Sequence, residues 1–179
     1  MNIYIDLDDT LIVSARGNKD NLANHAHFFE TDGWMHSICR PLTFPLLEHC
    51  REIAQNVRLI TTSSELWAHT WNQIFNLGFS YGDIIHRDIF THDMSLPYSS
   101  NLNRQWNGVT INDNNSVIID NYSSGLPSPI QKMNYVFGKQ NNARWIKIEE
   151  FIDNYNDHLE FKRIRSIINK FINDHERDI

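Results

Sequence analysis

Asn2-Ile3-Tyr4-Ile5-Asp6-Leu7-Asp8-Asp9-Thr10-Leu11 is a short apolar run that ends in three carboxylates and a threonine. Ile3, Tyr4 and Ile5 are strand formers with no polar alternation, the pattern of a parallel strand covered on both faces. The acids therefore fall at a strand's carboxyl end. In an open α/β sheet that end is where ligands bind, so Asp6 and Asp8 are expected in a crevice and not in the core. Carboxylates this close repel one another and need a cation, and a set of oxygen ligands suits Mg2+ before zinc or copper.

The rest of the chain has to build a sheet around that strand. Its 179 residues suffice for one good core and are few for two, so a single domain over 1–179 is expected. Apolar residues make up 41% and aromatics 12% of the sequence; both are spread along the chain, which excludes wholesale disorder. A net charge of −6 argues against an extended basic surface for nucleic acid. Cys39 and Cys50 stand in neither a CxxC nor a zinc-ligand spacing, which points to free thiols in a reducing compartment. No basic leader precedes Ile3, and nothing approaches about 18 consecutive apolar residues. A soluble, cytoplasmic protein with no membrane partner is expected.

Beyond the acids, residues 13–38 dissolve into Ser, Asn, Asp and His with Phe28, Phe29 and Trp34 as anchors. A loop or small flap beside the acids is expected, because a connection longer than about 12–15 residues is usually functional. His25, His27 and His36 lie there without a second ligand group at matching spacing. Arg40-Pro41 precedes residues 42–54, where Leu46, Leu47, Cys50 and Ile53 recur at helical spacing. A second strand, 57–60, runs into Thr61-Thr62-Ser63-Ser64-Glu65, whose Thr62-x-x-Glu65 spacing reads as a capping box. The helix that follows carries Leu66, Trp67, Trp71, Ile74 and Phe75, a stripe expected in the core, with Gly78 as its stop. Its first turn offers amide groups and a positive dipole end suited to phosphate.

A third strand is expected over 83–86, and a polar stretch over 91–107 contains Arg104. Ser116-Val117-Ile118-Ile119 is the clearest strand after the first and runs into Asp120-Asn121, another acid at a strand's carboxyl end. A last short strand is expected over 144–148 and a helical stretch over 149–155. An amphipathic helix over about 158–174, with Leu159, Ile164, Ile168 and Phe171 on its apolar face, completes the pattern. That face is expected on the sheet, with a dimer contact as the other use open to it.

Asp6-Leu7-Asp8-Asp9-Thr10-Leu11 resembles the first motif of the haloacid dehalogenase-like phosphatases. Arg40-Pro41 and Asp120-Asn121 resemble the forms used by their FCP/SCP (NIF-like) C-terminal-domain phosphatase group. The resemblance covers roughly residues 2–121 and implies a Rossmann-like three-layer α/β/α fold with a mostly parallel central sheet and no large cap domain. It implies that Asp6 is the nucleophile, forming an aspartyl-phosphate, and that Asp8 is the general acid and base. Thr61, with Thr62 beside it, is expected at the phosphate. Asp120 and Asn121 are expected to complete a magnesium shell with the side chain of Asp6 and the main chain of Asp8. Arg104 stands 16 residues before Asp120, about where the family places a lysine, and is carried over as the phosphate-binding cation, with Arg87 as the other candidate. Arg forks where Lys is a point charge, so the departure changes the geometry.

What the resemblance implies is a Mg2+-dependent phosphatase acting on a phosphomonoester, a phosphoprotein being the substrate the subgroup suggests. A nucleotide or polynucleotide-end phosphatase and a catalytically weak phosphate-binding regulatory protein are the alternatives. The tail beyond Tyr122 is expected to contribute generic structure alone.

Overall fold

The computed structural model describes residues 1–15, 28–31, 35–61, 63–86, 116–121, 144–149, 151 and 154–177. Its centre is the strand foreseen at the start, β1 (Asn2–Asp6). Next come β2 (Ile12–Ala15), β3 (Phe28–Thr31) and β4 (Met35–Cys39), then α1 (Thr43–Ile53), β5 (Asn56–Ile60) and α2 (Glu65–Ile74). The chain continues through β6 (Ile84–Ile85), β7 (Ser116–Asp120), β8 (Arg144–Lys147) and α3 (Asn154–Arg177). Five strands form one sheet in the order β6-β5-β1-β7-β8, every pairing parallel. This is the α/β architecture expected, a parallel central sheet with helices packed on it.

Parallel register explains why β1 carries no polar alternation. Ile3 and Ile5 lie level with Val57 and Leu59 on one side and with Val117 and Ile119 on the other. These side chains join Leu46, Leu47 and Cys50 of α1 and Ile164, Ile168 and Phe171 of α3 in one core. Tyr4, Ile60, Ile85 and Ile118 point to the opposite face and are buried as well. Ile164, Ile168 and Phe171 of the α3 apolar face are thus spent on the chain's own core, while Leu159 is 44% exposed.

β1 sits where the strand order turns. The chain leaves β1 for β5 and β6 on one side and returns to β7 and β8 on the other. That arrangement opens a crevice at the carboxyl end of β1. The segment between β1 and α1, foreseen as a loop or flap, holds a three-stranded antiparallel sheet in the order β2-β4-β3. The pairing Ile12↔Cys39 and the bond from Arg40 N to Leu11 O (2.9 Å) bring both ends of that segment back to the crevice.

Three local expectations are corrected. Ser64, not Thr62, caps α2, its hydroxyl accepting from Trp67 N at 3.3 Å. The helix stops at Ile74, where Asn76 takes the left-handed conformation at φ 50°, ahead of Gly78 at φ 76°. A Cβ on Gly78 would stand 3.3 Å from the Arg51 guanidinium, which itself donates to Leu77 O at 2.6 Å. The terminal helix runs unbroken from Asn154 and takes up the end of the stretch read as a separate piece, because no breaker falls between them. Cys39 and Cys50 are free, and burial pushes each thiol up to about 12.

The tail beyond Tyr122 does more than fill space. Arg40 is 1% exposed and pairs with Asp157 of α3, whose side chain is 0% exposed. Nε and Nη2 of Arg40 donate to Asp157 Oδ1 at 2.9 and 2.5 Å. Asp157 Oδ2 accepts from Leu42 N at 2.9 Å, which supplies α1 with the cap that its own sequence lacks. Arg40 Nη1 reaches Asp9 O at 3.1 Å, so the pair also braces the turn after β1. Breaking a buried pair strands a charge at a cost of about 3–5 kcal/mol. Asp157→Ala is expected to lose stability on that order in urea unfolding; a loss below about 1 kcal/mol would show that Arg40 finds another partner.

A second contact of α3 titrates. Burial acts to raise the Glu160 carboxyl, but hydrogen bonds from Arg163 and from the amide of Glu149 outweigh it and leave the group below its ordinary value. Those bonds are 2.7 Å from Arg163 Nε and 2.8 Å from Glu149 N. Because the folded value lies below the unfolded one, the contribution is complete above about pH 4.3 and is lost as pH falls through the folded value. Glu160→Gln is expected to be less stable than the natural chain at pH 7 and to converge with it in acid. An equal gap at pH 7 and pH 3 would contradict the assignment.

Candidate functional site

The crevice is shaped by a turn wound around one carbonyl. Leu7 O accepts from Leu11 N at 2.9 Å and from Ile12 N at 3.1 Å, with Thr10 N at 3.4 Å. Asp9 sits in the left-handed region at φ 57°, a conformation that aspartate tolerates better than most residues. This turn throws Asp8 to one side of the strand end while Asp6 stays on it.

Asp6 and Asp120 end β1 and β7, and the pairing Ile5↔Ile119 brings them to the same level of neighbouring strands. Adjacent strands lie about 4.8 Å apart. Both carboxylates are buried, at 9% and 4% exposure. Thr10, fully buried, spans the gap between these strand ends: its hydroxyl donates to Asp6 Oδ2 at 3.0 Å and accepts from Asn121 N at 2.9 Å. Two buried carboxylates level with each other, next to an amide side chain, form an all-oxygen donor set. Their mutual repulsion and desolvation are offset best by a hard divalent cation.

Asp8 is ringed by donors. Thr61 Oγ1 and Ser63 Oγ donate to its Oδ2 at 3.1 and 2.8 Å, and Trp67 Nε1 donates to its Oδ1 at 2.7 Å. Ser63 N in turn donates to Thr61 Oγ1 at 3.0 Å, so the start of α2 is folded over the carboxylate. Thr61 stands at the end of β5, as expected, where its amide is held by Ile85 O at 2.9 Å. Hydrogen bonds to an ionised group are about twice as strong as neutral ones, so these three fix the orientation of Asp8 firmly.

Asp6, Asp8, Thr61, Asp120 and Asn121 therefore converge. Thr62, Arg104 and the alternative Arg87 lie outside the described residues, as do His25, His27 and the side chain of His36. Three contributors were not foreseen. Thr10 is within the quoted motif, and the signal was a hydroxyl placed one turn-length after Asp6. Ser63 was read as part of a cap. Trp67 was assigned to the core, and no sequence pattern separates it from Trp71, which is buried and meets it edge to face at 5.3 Å.

No curated protein matches the chain. Among solved structures it is similar to fission yeast RNA polymerase II CTD phosphatase Fcp1 bound to beryllium fluoride, at 15% identity and a TM-score of 0.50, over 84% of this chain and 41% of that one. It is likewise similar to a structure of Fcp1 described as an essential RNA polymerase II CTD phosphatase, at 16% identity and a TM-score of 0.51, over 95% of this chain and 49% of that one. At such identities the likeness is one of fold, and the chain spans less than half the length of either solved chain. The model of the NLI interacting factor-like phosphatases matches residues 2–178, past the limit of about 121 drawn from the motifs and through the helix that carries Asp157. The chain belongs to the NLI interacting factor-like phosphatase family.

Proposed function

We propose that this chain hydrolyses phosphate monoesters with Asp6 as nucleophile and Asp8 as proton carrier, and that a phosphorylated protein segment is its substrate. One observation carries the proposal: Asp6 ends the central strand at the turn in strand order, with Asp120 level with it and Asp8 held by Thr61, Ser63 and Trp67 in the turn that follows. Family membership supports the reaction type. The phosphoprotein substrate rests on the likeness to proteins described as polymerase CTD phosphatases.

Asp6 attacks phosphorus in line with the leaving oxygen, and the P–O bond to that oxygen breaks as the bond to Asp6 forms. Thr10 holds Oδ2 of Asp6 through its 3.0 Å bond, which fixes the orientation of the attacking carboxylate. Asp8 delivers a proton to the leaving oxygen and later takes one from the water that hydrolyses the aspartyl-phosphate. Trp67 Nε1 can donate only, so it reserves Oδ1 of Asp8 as an acceptor and directs the proton to Oδ2. The hydroxyls of Thr61 and Ser63 at Oδ2 can rotate from donating to accepting as that proton comes and goes. Asp6, Asp120, Asn121 and the main chain of Asp8 would hold Mg2+, which supplies positive charge beside the phosphoryl oxygens when bound. Thr61 and Arg104 are the groups proposed to meet those oxygens as well.

Phosphate release from phosphoserine peptides, phosphotyrosine peptides, p-nitrophenyl phosphate, nucleotides and phosphorylated oligonucleotide ends tests the reaction and its substrate together. Release is expected to require Mg2+, to favour phosphopeptides and to vanish in Asp6→Asn with the fold intact by circular dichroism. Appreciable turnover by that variant would sink the mechanism; preference for nucleotides would overturn the substrate alone. Trp67→Phe removes a hydrogen bond to a carboxylate worth about 1.5–3 kcal/mol. It is expected to lower kcat by roughly tenfold to a hundredfold with KM little changed, and an unchanged kcat would remove Trp67 from the machinery.

A further inference from the structure

The carboxyl edge of the sheet bears a second cluster of ligand-type side chains, apart from the aspartates. Glu65 and His69 lie one turn apart on α2, and His86 follows β6 at the sheet's edge strand. One ligand atom from each of the three lies within 4.8 Å of the other two. Nothing in the proposed phosphatase reaction uses them. We propose that Glu65, His69 and His86 form a binding site for a transition-metal ion, Zn2+ by preference.

The donor chemistry selects the ion. Two imidazoles and a carboxylate suit Zn2+, with Ni2+ and Co2+ as competitors, whereas Mg2+ takes oxygen ligands and is expected at the aspartates. Three protein ligands leave a fourth tetrahedral position for water. Around zinc, with bonds of about 2.0–2.1 Å, neighbouring ligand atoms stand about 3.3 Å apart, so side-chain rotations of the order of an ångström close the cluster.

Two independent observations point to a ligand there. Nε2 of His69 is shut off from solvent and has no hydrogen-bond partner among the described residues. A buried polar atom of that kind calls for an explanation, and a bound metal ion is one of the few available. The surroundings are also those of a supported metal site. Tyr81 stacks on the His69 ring at 4.6 Å and its hydroxyl donates to Glu65 Oε1, so one residue orients two ligands. Ligands held by such outer partners bind metal more tightly by reducing their freedom.

The site would tie the start of α2 to the end of β6. That same helix start supplies Ser63 and Trp67 to Asp8. Zn2+ there acts as a brace across the edge of the sheet.

The test is Zn2+ binding by the full chain in excess Mg2+, read by equilibrium dialysis with elemental analysis, and Co2+ substitution read by visible absorption. The natural chain and Asp6→Asn are each expected to hold one Zn2+ and to show the intense bands of four-coordinate Co2+. His69→Gln is expected to weaken Zn2+ binding at least about a hundredfold, beyond the loss typical of an outer partner, and Tyr81→Phe by about tenfold to a hundredfold. Melting without metal checks that the variants fold, and zinc-edge X-ray absorption of the natural chain, which needs no variant, is expected to show two imidazoles. Equal zinc content in the natural chain and folded His69→Gln, loss of the zinc in Asp6→Asn, or a zinc shell without paired imidazoles would each overturn the proposal.

Discussion

Arg40 and Asp157 are the pair on which the crevice depends. A guanidinium and a carboxylate with almost no exposure are costly to bury, and the geometry compensates by engaging all three nitrogens of Arg40 and both oxygens of Asp157. Asp157 takes two bonds from Arg40 and one from the amide of Leu42, the residue before α1, while Arg40 spends its remaining arm on the carbonyl of Asp9. The Thr43 hydroxyl adds a 2.7 Å bond to Leu11 O. Helix α1, helix α3 and the acid-bearing turn are thus joined at one point. The turn that sets Asp8 is held by a residue far along the chain.

Around that anchor the aspartates are treated differently. Asp6 and Asp120 are strand residues, fixed by the sheet's own hydrogen bonds and tied to the Asn121 amide through the Thr10 hydroxyl. Asp8 hangs from the turn and is fixed instead by Thr61 and Ser63 of the β5-to-α2 connection and by Trp67 of α2. Rigid backbone serves the groups suited to a cation and to attack. Rotatable hydroxyls serve the group proposed to gain and lose a proton, a division that follows from what each task demands of its surroundings.

The start of α2 lies between two chemistries. Ser63 and Trp67 turn toward Asp8, while Glu65 and His69 turn toward His86 and Tyr81. Residues two apart on a helix face different ways, so the stretch from Ser63 to His69 serves both sides. The capping residue Ser64 sits between them and sets the direction in which the helix leaves the sheet.

The sequence by itself determined the central strand, the placement of acids at strand ends and the family. A parallel strand buried on both faces has to be a continuous apolar run, and a motif of contiguous residues survives in linear order. Asp6, Asp8, Thr61 and Asp120 were legible for that reason, as were α1 and the strands β5, β7 and β8. Only the tertiary structure decided the partners of those residues. Trp67 reads as core from its spacing, Asp157 as an acid between two helical stretches, and His86 as the end of a strand. Their roles come from side chains 59, 117 and 17 residues away in the chain, at Asp8, Arg40 and His69. The periodicity of a sequence reports which face of an element is buried; it carries no information about which distant group that face will meet.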